Sequence, residues 1–221
     1  MRIAVAVALA LVVPCAVAAM PAEAAKRSKC QRLKGKDLAP AKTVKLVQRP
    51  NADDGTDLRG CVLPRGRVFS VASSADEFTT TYDYAIRQVA GRIVLVTSSY
   101  NSQYAFSDST YVVDLRSGRT YRVAAQCFEI GGFPCGGEPT TAPAVFVTKL
   151  GRAVAAIVSV PAGPTAPRAV TIATFDPKGK RRDLDAGLES DVPSASLGLT
   201  GTFASWTHAG QPRGADISSP G

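Results

Sequence analysis

A single histidine, His208, is the one side chain here whose ordinary titration falls near neutral pH. Any Ser-His-Asp or Cys-His site would have to use it. It stands in WTHAGQPR beside a turn, with no Gly-x-Ser-x-Gly in the chain, and reads as an ordinary turn-flanking residue. One histidine also excludes multi-histidine metal sites. There is no P-loop and no Gly-x-Gly-x-x-Gly opening a helix, so neither a metal nor a cofactor is expected. Carboxylates offer a second route, because a glycosidase needs two of them facing each other across the bond it breaks. Asp83, Asp108, Asp114, Glu129 and Glu138 are the candidates. Asp114 precedes a turn and Asp83 precedes a strand, both usual solvated positions, so no catalytic residue is assigned. The acidic stretch NADDGTDL at 51–58 lacks the register of a calcium loop. Its Asp54-Gly55 is read as a hairpin turn.

Binding chemistry is better represented. In SSYNSQYAFSD the aromatics sit among Ser, Asn and Gln, and the stretch reads as a polar loop. Aromatics beside amides and hydroxyls suit a sugar or a peptide. Tyr100, Asn101, Gln103, Tyr104 and Phe106 are therefore the expected ligand contacts. The alternative is a loop that folds back and buries its rings. A second contact is expected from the Gly- and Pro-rich stretch at 127–138. Trp206 is assigned to the core.

The elements that would hold these residues begin with a processing signal. Met1-Arg2 precedes an apolar run to Met20, and Ala22-Glu23-Ala24 fits a small-x-small cleavage site, which makes 1–24 a signal peptide. Cleavage after Ala18 or Ala19 is an alternative, as is an uncleaved membrane anchor. Acylation at Cys15 is disfavoured by Pro14. The expected location is secreted or at the cell envelope. About 197 residues then remain, enough for one core. The charge is uneven. Residues 26–49 carry nine Lys or Arg against Asp37, whereas 50–221 balance 16 basic with 16 acidic residues. The basic segment 25–41 is expected to meet an anionic envelope polymer or glycan through Lys26, Arg27, Lys29, Arg32, Lys34 and Lys36, or to be a solvated leader. Nucleic acid is not an expected partner of an exported chain.

Four cysteines remain after cleavage, an even number that suggests two disulfides in an oxidising compartment. Three pairings are open on paper. Cys127 and Cys135 bracket a short loop and are the easiest partners, which leaves Cys30 with Cys61. Loop closure makes these bonds worth ~2.6 and ~3.7 kcal/mol respectively.

Hairpins recur along the body. YAIRQVAGRIVLVTSS…STYVVDLRSGRTYRVA, over 84–124, reads as a four-stranded meander around a continuously apolar strand, Ile93 to Val96. Residues 144–184 repeat the order, with RAVAAIVSV as the buried strand. The turn glycines are 27 residues apart in one unit (Gly91, Gly118) and 28 in the other (Gly151, Gly179). KTVKLVQ, DLRGCVLP and GRVFSVA supply the last three strands of an earlier unit, turning at Gly66. SLGLTGTFASWTHAGQPRGADI supplies the first three of a later one, turning at Gly201.

The buried strand with its Gly-Arg turn and the YVVDLRSGR hairpin resemble TolB-type β-propeller repeats over roughly 42–217. The C-terminal stretch resembles that of uncharacterised secreted proteins of high-GC actinobacteria, which brings no activity to any residue. The fold class expected is all-β, a propeller-like array of about four four-stranded antiparallel meanders with the terminal two incomplete. A β-sandwich is the alternative. Residues 42–221 form a single domain, and closure of the array could require a homo-oligomer. The expected function is non-catalytic binding or scaffolding at the cell envelope. A glycan-acting hydrolase using blade-loop carboxylates is the competing class.

Overall fold

A computed structural model describes residues 28–38, 43–77, 80–102, 105–129, 140–159 and 166–218. The expected signal peptide lies outside them, as do Lys26, Arg27, Gln103, Tyr104, Cys135 and Glu138. The described chain is all-β, in four antiparallel meanders. The first sheet holds β1 (Lys36–Asp37), β2 (Val44–Pro50), β3 (Thr56–Val62) and β4 (Phe69–Ser73). The second holds β5 (Ala75–Glu77), β6 (Thr80–Ala90), β7 (Ile93–Ser102), β8 (Ala105–Asp114) and β9 (Arg119–Glu129). The third holds β10 (Thr140–Val147), β11 (Ala153–Ser159), β12 (Ala169–Phe175) and β13 (Arg181–Leu188). The fourth has three strands, β14 (Gly198–Thr200), β15 (Phe203–His208) and β16 (Gln211–Asp216).

The sheets stack face to face in chain order. Val94, Val96, Val113 and Leu115 of the second sheet meet Val44, Leu46 and Leu58 of the first. The opposite face, with Ile93, Leu95 and Val112, meets Ala153, Ala155 and Phe175 of the third. Val154, Ala156 and Ile172 then meet Ala204 and Trp206 of the fourth. This explains the continuous apolar runs. A strand between two neighbouring sheets buries both faces, so β11 is buried from Ala153 to Val158 and β7 from Ile93 to Val96. Four stacked layers are a propeller-like order, not a two-layer sandwich. No core cluster of described residues joins the first sheet to the fourth, so the array is open.

A recurring contact spaces the sheets. Three residues after a turn glycine, Phe69 and Tyr121 project from the outer strands β4 and β9. Each side chain lies on the hairpin glycine of the next sheet: a Cβ at Gly118 would fall 2.4 Å from the Phe69 ring, and one at Gly179 would fall 2.6 Å from Tyr121 Cβ and 3.1 Å from its ring. Both glycines also have positive φ, 72° and 84°. Tyr121 further donates its hydroxyl hydrogen to the Gly151 carbonyl at 2.9 Å and stacks on Phe175. In the third sheet the matching position is Arg182, which is exposed. Among the described residues the fourth sheet has no closing hairpin there to receive a ring.

Two expectations are corrected. The first sheet does not lack its first strand. The pair Lys36–Asp37 supplies one, too short and too charged to stand out in the sequence. Part of the basic segment is thus folded and is not a solvated leader. Nor is 99–108 a loop as a whole, because Ser99 pairs with Asp108, Tyr100 with Ser107 and Asn101 with Phe106 in the β7–β8 ladder. These strands project beyond the neighbouring sheets. Their side chains are polar because they are half-exposed, not because the backbone turns.

Candidate binding cleft and basic end face

That projection makes a cleft. β7 has 10 residues against seven in β11, so one face of the second sheet continues past the third. In phase with core residues Leu95 and Val112, that face carries Thr97, Thr110 and Asp108, and on the next strand Gln126. Strand β10 forms the opposite wall and Leu197 closes one end, around a volume of about 490 Å³. Thr140, also in the wall, donates its hydroxyl hydrogen to the Ala125 carbonyl at 3.1 Å. Arg87 stands at the rim, exposed. The Oδ1 atom of Asp108 is shut off from solvent and has no hydrogen-bond partner among the described residues. A buried acceptor without a donor costs about 1–3 kcal/mol.

The expected ligand residues divide between two faces. Tyr100 packs on Tyr82 with ring centroids 4.9 Å apart, on the side where Tyr84 and Ile86 meet the first sheet. Asn101 and Phe106 are on the cleft side. Alternation along a strand separates neighbours that a loop could have brought together. Among the carboxylates, Asp114 is engaged by its turn: it accepts from the Arg116 N–H and the Ser117 hydroxyl and pairs with Arg92 at 3.0 Å. Asp176 does the same in the next sheet, and its carboxyl is held below its ordinary value, chiefly by the Lys180 N–H. Asp83 and Asp108 share a face, with Ser99 between them. Two strand spacings put their backbones about 10 Å apart. The backbone of Glu129 ends β9, and Cys127 pairs with Ser107. The expected Cys127–Cys135 bond lies outside the described residues.

The other charged feature is the outer face of the first sheet. Residues 28–37 cross it as a strap. Cys30 is fully buried and bonded to Cys61, and Lys45 donates to the Leu33 carbonyl at 2.7 Å. Ser28 donates its hydroxyl hydrogen to the Pro64 carbonyl, which seats the strap against the turn carrying Arg65 and Arg67. Lys29, Arg32, Lys34 and Lys36 all face solvent. Beside them Arg49 and Arg59 share Asp57, at 3.3 and 3.1 Å. Burial pushes the Asp57 carboxyl up, but the Ser73 hydroxyl and the two guanidinium groups outweigh it and hold it below its ordinary value.

His208 is more than a turn-flanking residue. Its Nδ1 lies 2.9 Å from both oxygens of Asp185 on β13, and the Trp206 indole N–H donates to the same carboxylate at 2.6 Å. Burial raises the Asp185 carboxyl, yet these bonds and the Ala186 N–H leave it below its ordinary value. The cluster joins the third sheet to the fourth. Asp185 gives no signal in sequence because nothing local marks it as the partner of a residue 23 positions away. Asp108 could have been placed from its phase with Thr110 and Val112, had 105–110 been read as a strand.

Comparison with known proteins finds no matching family model and no matching curated protein. Among the described residues no helix is long and apolar enough to cross a membrane.

Proposed function

We propose that this chain is an exported, non-catalytic binding protein of the cell envelope that docks on an anionic polymer through the basic end of its stack. One observation carries the reading: four exposed cations of the strap are fixed beside the arginines of the first sheet by the Cys30–Cys61 bond. Cations held on a rigid surface lose less freedom on binding than the same cations on a loose tail. They also concentrate field at one end of an otherwise neutral body. The disulfide and the leader-like N-terminus support export, and the stacked meanders support kinship with TolB-type propellers.

The test is co-sedimentation with anionic cell-wall polymer and with anionic vesicles across a salt series. Binding should weaken steeply as salt rises, and should fall at least tenfold when Lys29, Arg32, Lys34 and Lys36 are replaced by Gln. Salt-insensitive binding, or none, removes the proposal. The shared face of Asp83 and Asp108 favours the second reading, a glycan hydrolase of the inverting kind, whose carboxyls stand ~6.5–9.5 Å apart. That reading requires polymer cleavage that Asp83→Asn and Asp108→Asn each abolish.

A further inference from the structure

We propose that the cleft between the second and third sheets is a carbohydrate site, taking a short polyhydroxylated chain of about two sugar rings in its 490 Å³. It is separate from the basic end face and does not depend on docking there. Three features select this ligand class.

The first is the donor and acceptor set. Asp108 and Gln126 are cross-strand partners on the cleft face. A carboxylate that only accepts, beside an amide that both donates and accepts, matches a pair of neighbouring hydroxyls, and the hydroxyl groups of Thr97 and Thr110 extend the match. Asp108 also has an unmet need. Its Oδ1 is buried and lacks a donor among the described residues, so the carboxylate is under-solvated where it lines the cleft. A sugar hydroxyl donating to the carboxylate offsets part of that deficit.

The second is charge. Among the described residues, the ionised groups lining the cleft are one carboxylate, Asp108, and one guanidinium, Arg87. Their sum is zero, so neither a polyanion nor a polycation is favoured. The floor between them is apolar, with Leu95 and Ala124, and suits the C–H face of a sugar ring.

The third argues against a peptide. Every residue from Thr140 to Phe146 lines the cleft, which a strand can do only when it presents its edge. An extended peptide could add to such an edge if its ladder were regular. Here the register breaks between Thr141 and Ala144, around Ala142 and Pro143. Proline offers no N–H, so an added strand finds no continuous row of partners.

Titration calorimetry on the full, disulfide-intact chain tests the site. The probes are triacetylchitotriose, cellotriose, maltotriose and mannotriose, with trilysine and triglutamate as comparators. At least one trisaccharide should bind with Kd at or below about 1 mM. Asp108→Asn and Gln126→Leu should each weaken it at least tenfold, whereas Gln at Lys29, Arg32, Lys34 and Lys36 together should leave it unchanged. Because Asp108 has an unsatisfied oxygen, Asp108→Asn should not lower Tm. Should that variant fail to fold, Gln126→Leu and Thr110→Val carry the same expectation. Absence of binding by all four trisaccharides overturns the proposal. So does binding that survives the cleft substitutions, or trilysine binding that depends on Asp108.

Discussion

The two ends of the stack meet the same problem with different means. Every open array of sheets leaves two faces without a neighbour. At the first sheet the spare face carries Val47 and Cys61, both fully buried because the strap lies over them and is bonded through Cys30. At the fourth sheet the spare face carries Gly198, Thr200, Ser205 and Gly214, with Phe203 half-exposed over Gly214. One end is covered and covalently held. The other is small, largely polar and left to solvent, and is attached to the stack by core contacts and the Asp185 cluster. The covered end is also where the fixed cations gather. What seals the fold there also displays the surface proposed to dock.

Removing the seal should have the largest effect. The Cys30–Cys61 bond spans 31 residues, and loss of that constraint costs about 3–4 kcal/mol by loop entropy. Replacing both cysteines by Ser should lower stability by that amount in chemical denaturation. It should also open the bond from the Leu38 N–H to the Leu46 carbonyl, at the end of the strap, to rapid amide exchange. Equal stability in the reduced and oxidised proteins would mean that the strap stays seated without its bond, and the two ends would then differ less than they appear.

At the opposite end the polar attachment ranks next. Asp185→Ala leaves the Trp206 N–H and His208 Nδ1 without their acceptor, at a cost of about 3 kcal/mol. The pH dependence has a definite sign. The Asp185 carboxyl sits below its ordinary value in the folded chain. Its contribution is therefore complete above the unfolded value, about 4, and is lost as pH falls through the lower folded value. Thermal melts between about pH 5 and about pH 2 should fall more steeply for the native protein than for Asp185→Asn. Parallel curves would show that the fourth sheet is held by apolar packing alone.

How far this contrast was legible in sequence depends on the physics behind each part. Ile93–Val96 and Ala153–Val158 announce strands buried on both faces because burial on two sides leaves no room for polar alternation. Gly118 and Gly179 announce turns because their positive φ suits no other residue so well. These signals are local, and they carried the meander and its repeat. The strap is different. Lys34, Gly35 and Lys36 look like a solvated run, and only the bond of a distant Cys61 and the approach of Gly35 to Val47 and Gln48 fix them. The cleft was hidden in another way. The polar stretch at 98–108 reads as a loop, although half-exposed strands are polar too. The Asp185–His208 pair is a contact between sheets, and no local pattern encodes it.

Turn glycines sharpen the comparison of interior with end. Gly179 has φ +84°, and its missing Cβ would strike Tyr121 of the preceding sheet. Gly201, in the fourth sheet, has φ +63° with nothing within 4 Å of that position. Gly179→Ala should cost about 2 kcal/mol or more, and Gly201→Ala about 1 kcal/mol, which is the backbone strain alone. The difference reports the contact between sheets. Equal costs would mean that Tyr121 shifts aside freely and does not space the sheets.

The smallest effect is expected at the bare face. Phe203 is 53% exposed and rests on Gly214, so truncation loses only part of the usual burial of a phenylalanine. Phe203→Thr should change stability by less than about 1 kcal/mol. The threonine also suits a strand, which offsets part of the lost apolar contact. Its value lies in concentration dependence. A face that meets water in the working protein gives a Tm independent of protein concentration, and the substitution leaves it so. A face covered by a second copy gives a Tm that rises with concentration, because association stabilises only the folded state. Loss of that rise in Phe203→Thr would place the copy on this face. The two ends would then be alike after all, one sealed by the chain's own strap and the other by a neighbour.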